Sequence, residues 1–300
     1  MNKLNITGLC LLSVSVILFA VFFVIVVSIF KKYNESTCDL DAEVKRFEYI
    51  NDGSLKGCVD GAGVISLEED AARLELALDH ILASGLQDVK PFVVKRSPKG
   101  GEYGCFESHQ LLAQHALKKG YSSFLFFEDD ARLGAPIPEG VAEEIKQELE
   151  SLEPTIIYLG YASSRPFLKN LVPLKHLKHV FEIMQPITTH AVAMNKPAME
   201  KVVELEIKGP YDWALRDKVN ARKLAVYPMI FHQCDCGSSV TGINLTVQKT
   251  LGFPMTMRLI SHTSRHPALM WLLGGAILAA STSIVLFTVS GFQNLWLKKK

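Results

Sequence analysis

This 300-residue chain has almost no excess of charge of either sign; its formal net charge is +1. That balance argues against a general nucleic-acid binder, which needs a basic surplus to neutralise phosphates. Internal repeats and low-complexity tracts are also absent, so the chain reads as ordinary globular sequence rather than a repeat array or a linker. Cysteine is sparse, and the five between the two apolar ends (Cys38, Cys58, Cys105, Cys234 and Cys236) cannot all pair internally. Cys234-Asp235-Cys236 has no second Cys or His pair at zinc-site spacing, so these cysteines read as structural and in part disulfide-bonded.

Charge is missing altogether from two long stretches. Leu4 to Phe30 is 27 residues without one. As a helix it would reach roughly 40 Å, against the about 30 Å that a hydrocarbon core needs. A cleaved signal peptide would have an apolar core of about 7–15 residues followed by a small-residue cleavage site. This run is longer and is followed by Lys31-Lys32, so it reads as an uncleaved anchor. Pro267 to Leu297 is the second uncharged run, with Gly274 and Gly275 inside it and Trp271 and Trp296 near its ends. Two spans would place both termini on one side of a membrane. The flanking Lys and Arg residues balance and do not orient the spans. Asn34-Glu35-Ser36 and Asn244-Leu245-Thr246 are glycosylation acceptors, which suggest a lumenal or extracytoplasmic middle. The expected organisation is a transmembrane helix over 4–30, a stalk or loop over 31–62, a domain over 63–240, a linker over 241–266 and a transmembrane helix over 267–292.

Within the domain, strand and helix patterns alternate. Val64–Leu67, Pro91–Lys95, Phe124–Phe127, Thr155–Leu159, Ala191–Met194 and Leu224–Tyr227 read as strands. Ala71, Leu74, Leu78, Ile81 and Leu82 recur at helical spacing, as do Val141, Ile145, Leu149 and Leu152. Ser108 is placed to N-cap a helix through Leu111 to Ala116, and Asn195 to cap another with Pro197 in its first turn. Alternation of this kind predicts an α/β domain with a mostly parallel sheet, whose ligands bind at the carboxyl ends of strands.

One such end carries Glu128-Asp129-Asp130, directly after Ser123-Phe124-Leu125-Phe126-Phe127. Adjacent carboxylates at the end of a buried strand repel one another. A hard divalent cation such as Mg²⁺ or Mn²⁺ relieves that repulsion and can neutralise a diphosphate. The plainer alternative is a strand ending in a solvated acidic turn.

The triplet does not stand alone. Gly101-Glu102-Tyr103-Gly104-Cys105-Phe106-Glu107-Ser108-His109 precedes it, separated by a helical stretch. Together they resemble glycosyltransferase family 25, the lipopolysaccharide and collagen galactosyltransferase-like group. Weaker matches follow in order: Leu67 with Arg73, Thr189-His190-Ala191, Tyr211-Asp212, Tyr227-Pro228, Gln233 and Ser238-Ser239. The resemblance spans roughly 63–239. It implies a GT-A-like, Rossmann-type domain using a nucleotide-sugar donor such as a UDP-sugar, with Mn²⁺ or Mg²⁺ as cofactor. Glu128 and Asp130 would hold the cation. Asp129 would assist near the ribose, and Arg73, Glu102, Gly104, Ser108 and His109 would shape the donor site. An inverting enzyme needs a base for the acceptor hydroxyl. Asp212 is the first candidate and His190 the second. Plainer roles stand beside these: a helix cap for Asp212 and Ser108, a hydrogen-bonded core histidine for His190, an exposed helix face for Arg73. His232 is a further metal-ligand candidate.

The sequence departs from the family pattern at Ser66-Leu67, where Asn-Leu is favoured, and over Leu86 to Glu102, which is short. The primary expectation is a membrane-anchored, metal-dependent glycosyltransferase acting on a glycan, a lipopolysaccharide-like glycolipid or a glycoprotein, with no nucleic-acid partner. The alternative is a catalytically silent relative that binds glycans or serves as a scaffold. A phosphatase-like hydrolase fits less well, because the middle acid spoils the spacing of the two aspartates.

Overall fold

Phe124 to Phe127 forms β3 (Ser123–Glu128), and all four residues are buried. Successive side chains of a strand face opposite ways. Leu125 and Phe127 therefore enter one apolar layer, and Phe124 and Phe126 the other. A strand buried on both faces reads as an unbroken apolar run, which is what the sequence shows here. The computed structural model describes residues 53–134, 136–163 and 171–234. The expected spans over 4–30 and 267–292 lie outside these residues, as do the linker and most of the stalk. Among the described residues, no helix is long and apolar enough to cross a membrane.

The remaining strands are β1 (Gly61–Leu67), β2 (Val89–Val94), β4 (Ala131–Leu133), β5 (Thr155–Ser163), β6 (Leu171–Pro173), β7 (Val180–Ile183), β8 (Pro186–Asn195), β9 (Arg222–Val226) and β10 (Phe231–Gln233). Eight of them form one sheet in the order β2-β1-β3-β8-β5-β9-β7-β6, and β10 pairs with β4 in a small separate ribbon. One face carries α1 (Ala71–Leu82) and α3 (Val141–Leu149), docked through Ala77, Ile81, Val141, Ile145 and Leu149. The other carries α2 (Gly101–Lys118), α4 (Lys196–Val203) and α5 (Tyr211–Asp217), docked through Phe106, Leu112, Met199, Val202 and Leu215. The result is a mixed, Rossmann-like α/β sheet with helices on both sides.

Four sequence expectations need correction. The sheet is not mostly parallel: β1 pairs parallel with β2 and β3, and β5 with β9, but β8 runs antiparallel to both β3 and β5. A parallel return needs a crossover of a dozen or more residues, usually a helix. The connection from β5 to β8 instead contains the antiparallel pair β6 and β7. Ser108 does not cap a helix, because α2 begins at Gly101 and Ser108 sits inside it, donating from Oγ to the Gly104 carbonyl at 2.6 Å. Two glycines in the first turns weaken helix propensity, yet the buried Phe106 and His109 hold that segment in place. Leu152 lies beyond the end of α3 and is 95% exposed. Finally, the end of the expected stalk belongs to the core: Leu55 and Cys58 are buried and β1 starts at Gly61.

Asn195 caps α4 as expected. Its Oδ1 accepts from Ala198 N at 3.2 Å and from Thr155 N at 2.9 Å, while Nδ2 donates to the Ser151 and Glu153 carbonyls at 2.9 and 2.7 Å. One buried side chain thus ties α4 to the entry of β5. Asn195→Ala is expected to cost about 2–4 kcal/mol in chemical denaturation, since it orphans several buried groups. Asn195→Asp keeps the acceptor but sets a buried carboxylate oxygen against the Ser151 and Glu153 carbonyls, so it should not recover the loss at neutral pH. A loss under about 0.5 kcal/mol for the alanine variant would mean that other groups replace these bonds.

Candidate active site

β1 and β3 run parallel and end side by side, and the acidic triplet follows from the second of them. Glu128 closes β3, and Asp129 and Asp130 form the turn into β4. Each acid is held by a different part of the fold. Thr189 of β8 donates from Oγ1 to Glu128 Oε1 at 2.7 Å. Ser66 at the end of β1 donates to Asp129 Oδ2 at 2.7 Å, and Arg73 of α1 reaches Asp129 Oδ1 at 2.5 Å. Gln233 of β10 donates to Asp130 Oδ2 at 2.7 Å, while Asp130 Oδ1 is buried without a hydrogen-bond partner. Behind the turn, the buried Arg132 donates to the carbonyls of Asp129 and Ala131, both at 2.9 Å.

These acids line a cavity of about 240 Å³. The loop between β2 and α2 contributes Lys95, Arg96, Ser97 and Gly100 to its wall, so the stretch that looks short in sequence still closes this side. The first turns of α2 contribute Gly101, Glu102, Gly104, Cys105, Ser108 and His109. A Cβ at Gly104 would stand 3.0 Å from Ser97 Cβ, so glycine lets the helix approach that loop. β8 and α5 supply Thr188, Thr189, Tyr211 and Asp212. Thr188 has φ +70°, a costly conformation for a β-branched residue, and its N–H donates to Asp212 Oδ2 at 3.4 Å.

Of the residues singled out in sequence, Arg73, Glu102, Gly104, Ser108, His109, Glu128, Asp129, Asp130 and Asp212 all line this cavity. His190 does not. It is fully buried elsewhere, with Nε2 3.3 Å from the Phe231 carbonyl and the ring against Gly160, where a Cβ would lie 2.1 Å from Nε2. Thr189 turns to Glu128, and its neighbour in the strand turns away. Burial lowers the His190 imidazole to about 4, so it stays neutral and structural. His232 is likewise buried, packed on Gly134 and not among the cavity residues. Arg73 is not a surface helix residue but the cation beside Asp129.

Sequence reasoning missed Thr188 and Ser97, assigned no role to Ser66 or Thr189, and read Cys105 only as a structural cysteine, where the structure has it as a free thiol of the cavity wall. Ser66 was visible only as a departure from the family pattern, yet its hydroxyl is what holds Asp129.

The electrostatics follow from crowding. Burial, then the neighbouring Asp130, raises Glu128 to about 8. Burial also raises Asp129 and Asp130, opposed in each by a hydrogen bond and by Arg73. His109 is lowered to about 4 by burial; its Nδ1 lies 2.9 Å from the Cys105 carbonyl and its ring stacks on Tyr211, centroids 4.2 Å apart. A hard cation fits this donor set. The acids offer oxygen ligands, one buried oxygen of Asp130 has no partner, and negative charge exceeds what Arg73 neutralises.

Residues 75–200, somewhat under half of the chain, match glycosyltransferase family 25 (LPS biosynthesis protein). No curated protein matches the chain. Among solved structures, similarity extends to the mannosyltransferase PcManGT from Pyrobaculum calidifontis in complex with GDP-Man and Mn²⁺. The identity is 12% and the TM-score 0.39, over 95% of this chain and 92% of that one. A glycosyltransferase involved in glycosylation of the major capsid of PBCV-1 is 13% identical with TM-score 0.33, over 55% of this chain and 80% of that one. UDP-glucose pyrophosphorylase complexed with UDP-glucose is 10% identical with TM-score 0.36, over 67% and 81%.

The raised Glu128 carboxyl gives a pH signature. The folded chain holds this proton more tightly than the unfolded one. Its stabilising effect is full below about pH 4.5 and is lost as pH rises through about 8. In EDTA, Glu128→Gln should therefore gain stability over the parent chain as pH rises through that window, and the gain should level off above it. Thermal melts across pH measure it, and a pH-independent difference would contradict the assignment.

Proposed function

We propose that this chain is a membrane-anchored, metal-dependent glycosyltransferase of the GT-A type. It would move a sugar from a nucleotide-sugar donor to a glycan, glycolipid or glycoprotein acceptor, with inversion. The observation that carries this reading is the crowding of Glu128, Asp129 and Asp130 in one cavity inside the segment that matches glycosyltransferase family 25. Glu128 and Asp130 would hold Mn²⁺ or Mg²⁺, which when bound offsets the charge that develops on a nucleoside-diphosphate leaving group.

The chain's own residues account for the rest. Asp129 is already saturated by Ser66 and Arg73, so it supports the site rather than competing for the cation. The first turn of α2 borders the cavity, and the first N–H groups of a helix have no intrahelical acceptor, which favours an anionic group there. The cavity is smaller than the about 300–1,000 Å³ of drug-sized ligand sites. It would enclose the diphosphate and leave part of the donor outside. Asp212 faces the same space, fixed by Thr188 N–H, and would take the proton of the acceptor hydroxyl as the sugar carbon is attacked from the side opposite the leaving group. The uncharged runs Leu4–Phe30 and Pro267–Leu297 support anchoring at a membrane. The disulfide of Cys234 and the two acceptor tripeptides support an extracytoplasmic domain.

Release of free nucleoside diphosphate from a panel of nucleotide sugars tests this directly. Turnover should require Mn²⁺ or Mg²⁺, vanish in EDTA and fall by at least ~10²-fold in Asp130→Ala. Asp212→Asn should lower kcat by roughly 10²–10⁴-fold while donor affinity by calorimetry stays near that of the parent chain. Turnover unaffected by EDTA would remove the metal role. A folded protein that binds no nucleotide sugar would instead be the catalytically silent relative.

A further inference from the structure

The cavity holds a second donor set that is chemically unlike the first. Cys105 and His109 are four residues apart on α2 and so share one helix face. A ligand atom from each, together with a carboxylate oxygen of Glu128, lie within 4.8 Å of one another. His109 is 1% exposed, and its Nε2 has no hydrogen-bond partner. That nitrogen lies 3.7 Å from Glu128 Oε1, too far for a hydrogen bond. The other ring nitrogen, Nδ1, is placed to donate to the Cys105 carbonyl at 2.9 Å and lies 3.8 Å from Cys105 Sγ, which leaves Nε2 as the nitrogen with a free lone pair. Stacking on Tyr211 fixes the ring in that orientation. A buried imidazole oriented by a backbone carbonyl through one nitrogen, with the other bare, is the usual arrangement of a metal-ligating histidine.

We propose that Cys105, His109 and Glu128 form a site for a thiophilic divalent cation of the Zn²⁺ type. Thiolate, imidazole and carboxylate are the ligands such ions take, and three of them leave a coordination position open. This donor set differs from the all-oxygen pair Glu128 and Asp130, so the inference goes beyond the glycosyltransferase reading and shares only Glu128 with it. Binding converts the Cys105 thiol to thiolate and releases its proton to solvent, so affinity rises with pH. Burial and the charges of Glu128, Asp212 and Asp130 keep that thiol protonated in the absence of a cation. Because Glu128 serves both sets, a cation on Cys105 and His109 draws it away from Asp130. Zn²⁺ would therefore act as an inhibitor that competes with Mn²⁺ or Mg²⁺.

Co²⁺ reports the site spectroscopically. The full chain, reduced and stripped with EDTA, should develop a thiolate-to-cobalt absorption in the near ultraviolet on titration, and Zn²⁺ should abolish it. Cys105→Ser should lose the band. His109→Gln should weaken Co²⁺ binding by more than the ~10–100-fold that outer-shell partners are worth. Asp130→Asn should keep the band while losing Mn²⁺ binding measured by electron paramagnetic resonance, which separates this proposal from the hard-cation reading. Absence of the band, or its survival in Cys105→Ser, overturns the site. Should that variant not fold, mass spectrometry of maleimide-treated parent chain decides: Zn²⁺ must slow modification of Cys105, and an unchanged rate refutes it.

Discussion

The confinement of three carboxylates at the end of one buried strand is the constraint around which the rest of this structure is arranged. Glu128, Asp129 and Asp130 follow one another in sequence, so covalent geometry keeps them close whatever the fold does. Each would be unfavourable alone in such a place, because burial penalises the ionised form of all three, and Glu128 is raised further by both aspartates. The fold answers with at least one partner for each acid and two for Asp129. Thr189 comes from β8, Ser66 and Arg73 from β1 and α1, and Gln233 from β10. These partners are drawn from across the chain, so the acids can be assembled only when the sheet is complete.

That dependence explains the mixed direction of the sheet. An all-parallel arrangement would bring only strand ends to the cavity. Running β8 antiparallel between β3 and β5 brings the opposite end of a long strand there, and with it Thr188 and Thr189. The same strand continues to Asn195, whose side chain ties the far end of the sheet to α4 and to the start of β5. One element thus fixes an acid of the site at one end and closes the helix layer at the other. The strained backbone of Thr188 sits where this strand meets Asp212, as expected if the surrounding packing over-determines that position.

What could be read from sequence divides along local and non-local lines. The β3 run and its acids were legible because burial on both faces leaves a continuous apolar string, and a string ending in three acids is conspicuous. Asn195 with Pro197 was legible because capping is a local interaction. The direction of β8 was not, since β6 and β7 are three and four residues long and leave no periodic trace. His190 takes the plainer of its two readings, the hydrogen-bonded core histidine; proximity in sequence to a family segment says nothing about which way a strand residue points. Thr189, one residue earlier, is the one that reaches the acid. Ser108 was misread for a related reason. Serine is a common cap, and two glycines hid a helix that tertiary packing extends by eight residues.

Glu128 is where these strands of reasoning meet. On one side stands a second carboxylate with a bare buried oxygen, and on the other an imidazole with a bare buried nitrogen and a thiol beyond it. Water could satisfy either atom only by entering a space whose polar neighbours are already largely committed to one another. A cation would satisfy one of them while offsetting the burial and the neighbouring charge that raise Glu128. Hard ions favour the oxygen side and thiophilic ions the nitrogen and sulfur side. Under the two proposals above, the identity of the ion, rather than the shape of the cavity, would decide whether Glu128 turns toward Asp130 and a diphosphate or toward Cys105 and His109. A single carboxylate placed between two unlike donor sets would make occupation of one exclude occupation of the other.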